Sequence, residues 1–144
     1  MTINPYLTFN GNCEEAFNFY KSVFGGDFSY IGKFKDIPQE EGQPPMPEAV
    51  ANRIMHVSLP ISKETVLMGS DNSPEHGEVA FGQNINISIS PDSRNEADRI
   101  FNALAKAGTI TMPIADMFWG DYFGMVTDKF GVMWMVNFNA ANVG

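Results

Sequence analysis

The same order of elements occurs twice along this chain, and few folds accommodate a duplicated order of this kind. In the first half, Asn4–Phe9 alternates as a strand, with Pro5, Leu7 and Phe9 on one face and Tyr6 and Thr8 on the other. Cys13–Phe24 then spaces Cys13, Ala16, Phe17, Phe19, Tyr20, Val23 and Phe24 along one helical face. Asn12 suits the N-cap, Glu14 and Glu15 suit the positive helix start, and Gly25-Gly26 suits the stop. Further strands are predicted over Phe28–Phe34, Arg53–Ile61 and the short Thr65–Met68, which closes in a turn over Gly69-Ser70-Asp71-Asn72. In Arg53–Ile61, Met55, Val57, Leu59 and Ile61 oppose Ile54, His56, Ser58 and Pro60. Between them, Asp36–Glu48 carries four prolines and four acidic residues and reads as a loop, either a lid or a surface insertion.

The second half repeats the order. Ile85, Ile87 and Ile89 alternate with Asn84, Asn86, Ser88 and Ser90. A helix follows from about Ser93 to Ala107, with Ala97, Ile100, Phe101 and Leu104 inward. Ser93 and Glu96 form a capping-box pattern, and Gly108 marks the stop. Strands are predicted over Thr109–Ala115, Tyr122–Thr127 and Val132–Phe138, the last two joined by a turn at Asp128–Gly131. The expected fold class is therefore α+β: one domain over 1–144, built of two βαβββ modules, about 1–79 and 80–144. Each module is a mixed, curved sheet with its helix on the outer face. A sheet with one helix leaves one face bare, so two modules would bury their bare faces together and leave a cleft.

Charge and cysteine content narrow the function. Nine Lys+Arg against 17 Asp+Glu give a net charge of −8, which disfavours nucleic acid as a partner. One cysteine cannot form an intramolecular disulfide and suits a reducing, cytoplasmic compartment. No apolar run approaches the length of a membrane span, and the opening MTINPYLTFNGN has neither region of a signal peptide.

His56 is the leading chemical candidate, a possible acid–base group on the polar side of its strand; a hydrogen-bonded structural role is the alternative. Asp71 either pairs with His56 or makes an Asx turn with Asn72. His76, beside Glu75 and Glu78, reads as solvated. Cys13 sits where a helix start could activate a thiol, or it packs. Trp119, Tyr122, Phe123 and Trp134 with Met68, Met117, Met133 and Met135 form an aromatic and thioether-rich set. Met133 and Met135 oppose Trp134, so both faces of the last strand are apolar. Such a face suits a flat or greasy ligand, or a dimer contact. No G-x-G-x-x-G turn or Walker sequence is present, so methyl transfer from S-adenosylmethionine on its usual Gly-rich turn is not expected.

The stretch Tyr6-Leu7-Thr8-Phe9-Asn10-Gly11-Asn12-Cys13-Glu14-Glu15-Ala16, with Phe19-Tyr20-Lys21-Ser22-Val23-Phe24-Gly25-Gly26, resembles the start of a vicinal oxygen chelate domain. That superfamily includes glyoxalase I, extradiol dioxygenases and the bleomycin- and fosfomycin-resistance proteins. Met55-His56-Val57-Ser58-Leu59, Leu67-Met68-Gly69-Ser70-Asp71 and Phe118-Trp119-Gly120-Asp121-Tyr122-Phe123-Gly124 narrow the resemblance to the PhnB-like branch, as does Asp128-Lys129-Phe130-Gly131-Val132-Met133-Trp134. The resemblance implies metal ligands on four strands, usually two His or Gln and one or two Glu. The matching positions here hold Pro5 or Tyr6, Met68, Asn86 with Asn84 nearby, and Met135. None is a strong ligand for a first-row divalent ion. The expectation is a metal-free small-molecule-binding protein, for which bleomycin-resistance proteins set the superfamily's precedent. Its ligand would meet Tyr6, Met68, Asn86, Trp119, Phe123 and Met135, with His56 and Asp71 as catalytic candidates, no cofactor and no membrane. The alternative is a divergent lyase, isomerase or dioxygenase with a divalent metal at a shifted site. The resemblance also implies a homodimer.

Overall fold

The computed structural model describes residues 1–142. The chain forms two compact units, Met1–Ala80 and Phe81–Gly144, each built on one four-stranded mixed sheet.

In the first unit the elements run β1 (Tyr6–Phe9), α1 (Cys13–Phe24), β2 (Tyr30–Lys33), a 3-10 turn (Phe34–Asp36), the single-turn α2 (Glu48–Ala51), β3 (Ile54–Pro60) and β4 (Val66–Asp71). The strand order is β1-β4-β3-β2, with β1 and β4 parallel and the other pairs antiparallel. The second unit runs β5 (Ile87–Ile89), α3 (Arg94–Ala105), β6 (Thr109–Asp116), β7 (Tyr122–Thr127) and β8 (Met133–Phe138), in the order β5-β8-β7-β6 with β5 and β8 parallel. The two sheets thus share one topology, as the repeated element order predicts.

Each helix covers one face of its sheet. From α1, Cys13, Ala16, Phe17, Tyr20 and Val23 are buried, with Phe9, Val57, Leu59 and Leu67 from the strands. From α3, Ala97, Ile100, Phe101 and Leu104 are buried with Val126, Trp134 and Val136. Ala16 and Ala97, placed alike in the two halves, are both fully buried. Glycines set the spacing. A Cβ on Gly69 would come within 2.6 Å of Phe17, and one on Gly124 within 2.8 Å of Phe101. At these two places the helix lies close to the strand because no side chain intervenes.

Several expectations change. Gly69-Ser70-Asp71 is strand, not turn: Leu7, Thr8 and Phe9 pair with these residues in register. Here a glycine serves close packing rather than chain reversal. Ile54 is buried on the same side as Val57 and Leu59, because a bulge at Met55 shifts the phase of β3: Gly32 pairs with His56 while Lys33 pairs with Ile54. Glu48–Ala51 makes a helical turn at the end of the expected loop. The expected strand through Asn84 and Ile85 begins only at Ile87, and Ile85 is exposed.

The helix caps also differ. Ser93 caps α3 by accepting from the Glu96 N–H at 3.1 Å, while the Glu96 carboxylate turns to Arg99. Past the helix, Ala107 takes the left-handed conformation, φ 60°. Gly108 is instead required by contact, since a Cβ there would collide with the Thr127 carbonyl. Asn12 makes no side-chain cap bond to α1; another residue performs that task.

Candidate functional site

On the helix-free face of the first sheet, the register aligns one side chain from every strand. Tyr6 pairs with Met68, Met68 with Ser58, and Ser58 with Tyr30, crossing β1, β4, β3 and β2. Beside this row stand Thr8 and Ser70, a pair, and His56, opposite Gly32. Period-two alternation places them there, because Val57, Leu67 and Gly69 turn to α1. His56 lies at the centre. Its Nδ1 is 3.1 Å from the Tyr6 hydroxyl and its Nε2 2.8 Å from Ser58 Oγ. Hydroxyls donate or accept, so either imidazole tautomer keeps both bonds. The Tyr6 ring stacks on the imidazole at 5.6 Å and 27°, and the Tyr30 ring leans on it at 5.9 Å and 35°. Sequence reasoning placed His56 and Tyr6 on this face but missed Tyr30 and Ser58. The signal for both was their alternation, read across strands whose pairing was unknown.

Asp71 has other partners than His56 or an Asx turn. Its Oδ1 accepts from the backbone N–H groups of Gly11, at 2.9 Å, and Cys13, at 3.0 Å; its Oδ2 accepts from the N–H of Ile54 at 2.9 Å. The buried carboxylate thus caps α1 from a distant strand and ties it to β3. Asn72 accepts from Arg53 Nη1 at 2.6 Å and donates its backbone N–H to Phe9 at 2.7 Å. Cys13, at the helix start, is fully buried. Burial first, then the Asp71 and Glu14 carboxylates, pushes its thiol pKa well up, so the helix start does not activate it.

On the helix-free face of the second sheet, Ser88 pairs with Met135, Met135 with Met125, and Met125 with Met112. Three thioethers therefore stand side by side on β8, β7 and β6. In the next row Phe123 pairs with Asn137, whose Oδ1 is buried without a hydrogen-bond partner. Trp119 stands edge-on to Phe123 at 5.9 Å, and its Nε1 donates to Asp121 at 3.1 Å. Met135, Phe123 and Trp119 thus belong to one neighbourhood. Asn86 lies ahead of β5, and the residue opposite Met135 is Ser88. Trp134 faces the helix, donating Nε1 to the buried Asp128 at 2.8 Å, while Asp128 Oδ1 accepts from Phe130 and Val132 and closes the β7–β8 turn. Tyr122 also belongs to the helix side: its ring lies 3.9 Å under the Arg94 guanidinium, and its hydroxyl donates to Asp98.

The family model described as 3-demethylubiquinone-9 3-methyltransferase matches residues 1–137. A PhnB protein from Bacillus cereus is 26% identical to this chain, covers 96% of it and 99% of its own length, and superposes with a TM-score of 0.75. The chain belongs to the PhnB-like family. A Pseudomonas aeruginosa protein of known crystal structure is 41% identical, with 96% and 98% covered and a TM-score of 0.81. Protein YjdN of Escherichia coli is 32% identical over 142 residues, 95% of each chain. At 12% identity, with 94% and 95% covered and a TM-score of 0.60, a glyoxalase/bleomycin resistance protein/dioxygenase family enzyme from Burkholderia phytofirmans shares the fold alone. The PhnB-like chain thus has the vicinal oxygen chelate fold.

That fold implies a metal on the helix-free strands, and the donor chemistry here does not fit one. The matching positions offer a phenol, two thioethers, and an amide or hydroxyl. A first-row divalent ion takes imidazole and carboxylate donors instead. Among the described residues no three of His, Cys, Asp and Glu converge. No helix of this PhnB-like chain is long and apolar enough to cross a membrane, again among the described residues.

Proposed function

We propose that this PhnB-like chain binds a small molecule without a metal at the superfamily's usual positions. The observation that carries this reading is the pairing of Tyr6 with Met68 and of Ser88 with Met135. It puts stacking and thioether groups, rather than carboxylates, where the resemblance expects metal ligands. On the sheet of the first unit, Tyr6 and His56 supply stacking and hydrogen bonds and Met68 supplies apolar contact; on that of the second, Trp119, Phe123 and Met135 supply apolar contact, and Asn86 lies just ahead of β5. A thermal-shift screen of tag-free protein against flat aromatic and cationic compounds tests it. Saturable stabilisation by some compounds is expected; no hit in a broad library would remove the reading.

A second reading, a divergent lyase, isomerase or dioxygenase, draws support from His56 standing within hydrogen-bond reach of Tyr6 and Ser58. In its metal-dependent form it requires an ion at a shifted site. Metal analysis of the same protein decides, since less than about a tenth of an equivalent of tightly bound metal would exclude that form. Support for methyl transfer is limited to names, those of the family model and of the Bacillus cereus protein. The β1–α1 turn reads Asn10-Gly11-Asn12, a single glycine rather than a Gly-rich turn, and the Gly11 N–H is already given to Asp71 rather than left open for a cofactor.

The proposal includes a cytoplasmic homodimer that binds no nucleic acid. The single buried cysteine supports the compartment, and the net charge of −8 supports the last point. Pairing of chains is supported by β6, an edge strand along which Ile110 and Met112 are exposed, followed by Phe118 at 98% exposure.

A further inference from the structure

The geometry points to a planar, cationic heteroaromatic as the ligand class, received on a shelf made by Tyr6, His56 and Tyr30. This inference rests on the small-molecule reading above and assigns its chemistry. The ring planes of Tyr6, from β1, and Tyr30, from β2, are inclined by 27° and 35° to the imidazole of His56, from β3, with centroids 5.6 and 5.9 Å from it. The imidazole is the fixed middle of the shelf, because both of its nitrogens are held, by Tyr6 and by Ser58. Tyr6 and Tyr30 are 48% and 47% exposed, so each ring keeps surface free. Ring planes inclined by no more than 35° to the central imidazole are matched by another flat ring and poorly by a puckered one.

Gly32 makes the shelf possible. A Cβ at this buried position would strike the Tyr30 hydroxyl and lie 2.9 Å from its ring carbon Cζ. The Tyr30 ring therefore lies back along its own strand, over the bare glycine, and comes to rest against His56. Tyr30 is thus a recognition residue and Gly32 a positioning residue, neither evident from the sequence. Charge completes the class. Tyrosine faces carry the negative side of the ring quadrupole, and the chain has a net charge of −8, so a positively charged flat ring is favoured over a neutral or anionic one.

Isothermal titration of the full chain with three probes tests this: N-methylquinolinium, its puckered counterpart protonated N-methyldecahydroquinoline, and 2-naphthalenesulfonate. The flat cation is expected to bind at least about fivefold tighter than either of the others. Tyr6→Leu and Tyr30→Leu should each weaken it about fivefold, while Tyr6→Phe, which keeps the ring, should stay within about twofold. Gly32→Ala, which keeps both tyrosines in the sequence but displaces the Tyr30 ring, should weaken binding like Tyr30→Leu while the protein still melts cooperatively. Equal binding of the puckered cation, or an affinity that none of these variants alters, would overturn the shelf. So would the failure of all three probes in a protein whose library screen yields other ligands; the small-molecule reading then stands. A screen with no ligand at all removes that reading and the shelf with it.

Discussion

At the scale of single residues, buried polar groups carry this fold. Asp71 gathers three backbone donors from Gly11, Cys13 and Ile54, two of them at the start of α1. Asp71→Ala would strand those N–H groups in the interior, and a loss of about 3 kcal/mol in urea denaturation is expected. A loss under about 1 kcal/mol would show that the clamp is dispensable. Cys13 sets a pH dependence. Its thiol pKa is raised in the folded chain, by burial first and then by Asp71 and Glu14. The unfolded chain releases the proton near pH 8.5 while the folded chain keeps it, so stability is intact below that pH and falls as pH rises above it. Denaturation between pH 8 and 10 should show a slope of up to about 1.4 kcal/mol per unit, absent in Cys13→Ala. A shared slope would place its origin elsewhere. Neither role was legible in the sequence: Asp71 looked like a turn residue because its partners are 17 to 60 positions away.

At the scale of elements, periodicity identified both main helices and most strands, and erred where a glycine had two meanings. Gly25, at φ 80°, does end α1, as its place after Phe24 suggests. Gly69 and Gly124 lie in mid-strand, under Phe17 and Phe101. Gly69→Ala and Gly124→Ala should each cost about 1–3 kcal/mol, because the added methyl forces the helix off its sheet. A neutral result at either would mean the helix is free to shift. Ser93→Ala should cost about 1 kcal/mol through the lost α3 cap, whereas Asn12→Ala, with no cap bond to lose, should cost less. Thermal melts of the pair decide this. The bulge at Met55 is the other error, since one extra residue in β3 turned Ile54 inward against the alternation.

At the scale of the whole molecule, the repeated order predicts two sheets of one topology, and both units have it. The proposed dimer should sediment at twice the chain's 15.9 kDa at micromolar concentration; a monomer there would refute it. Phe118→Ser and Met112→Ser should weaken that dimer if β6 forms the contact, and leave it intact otherwise. Local pattern was enough to settle the helix faces, the strand–helix order and the Asp128–Gly131 turn, because spacing along one segment dictates which side chains share a face. It also identified His56 as pointing away from the helix, while Tyr6 and Met135 were placed by the resemblance. Which residues meet across strands was a matter for the folded chain. Register put Tyr30 beside His56, Ser88 opposite Met135, and three methionines in one row, because pairing joins segments far apart in sequence and a one-residue slip would turn every side chain over.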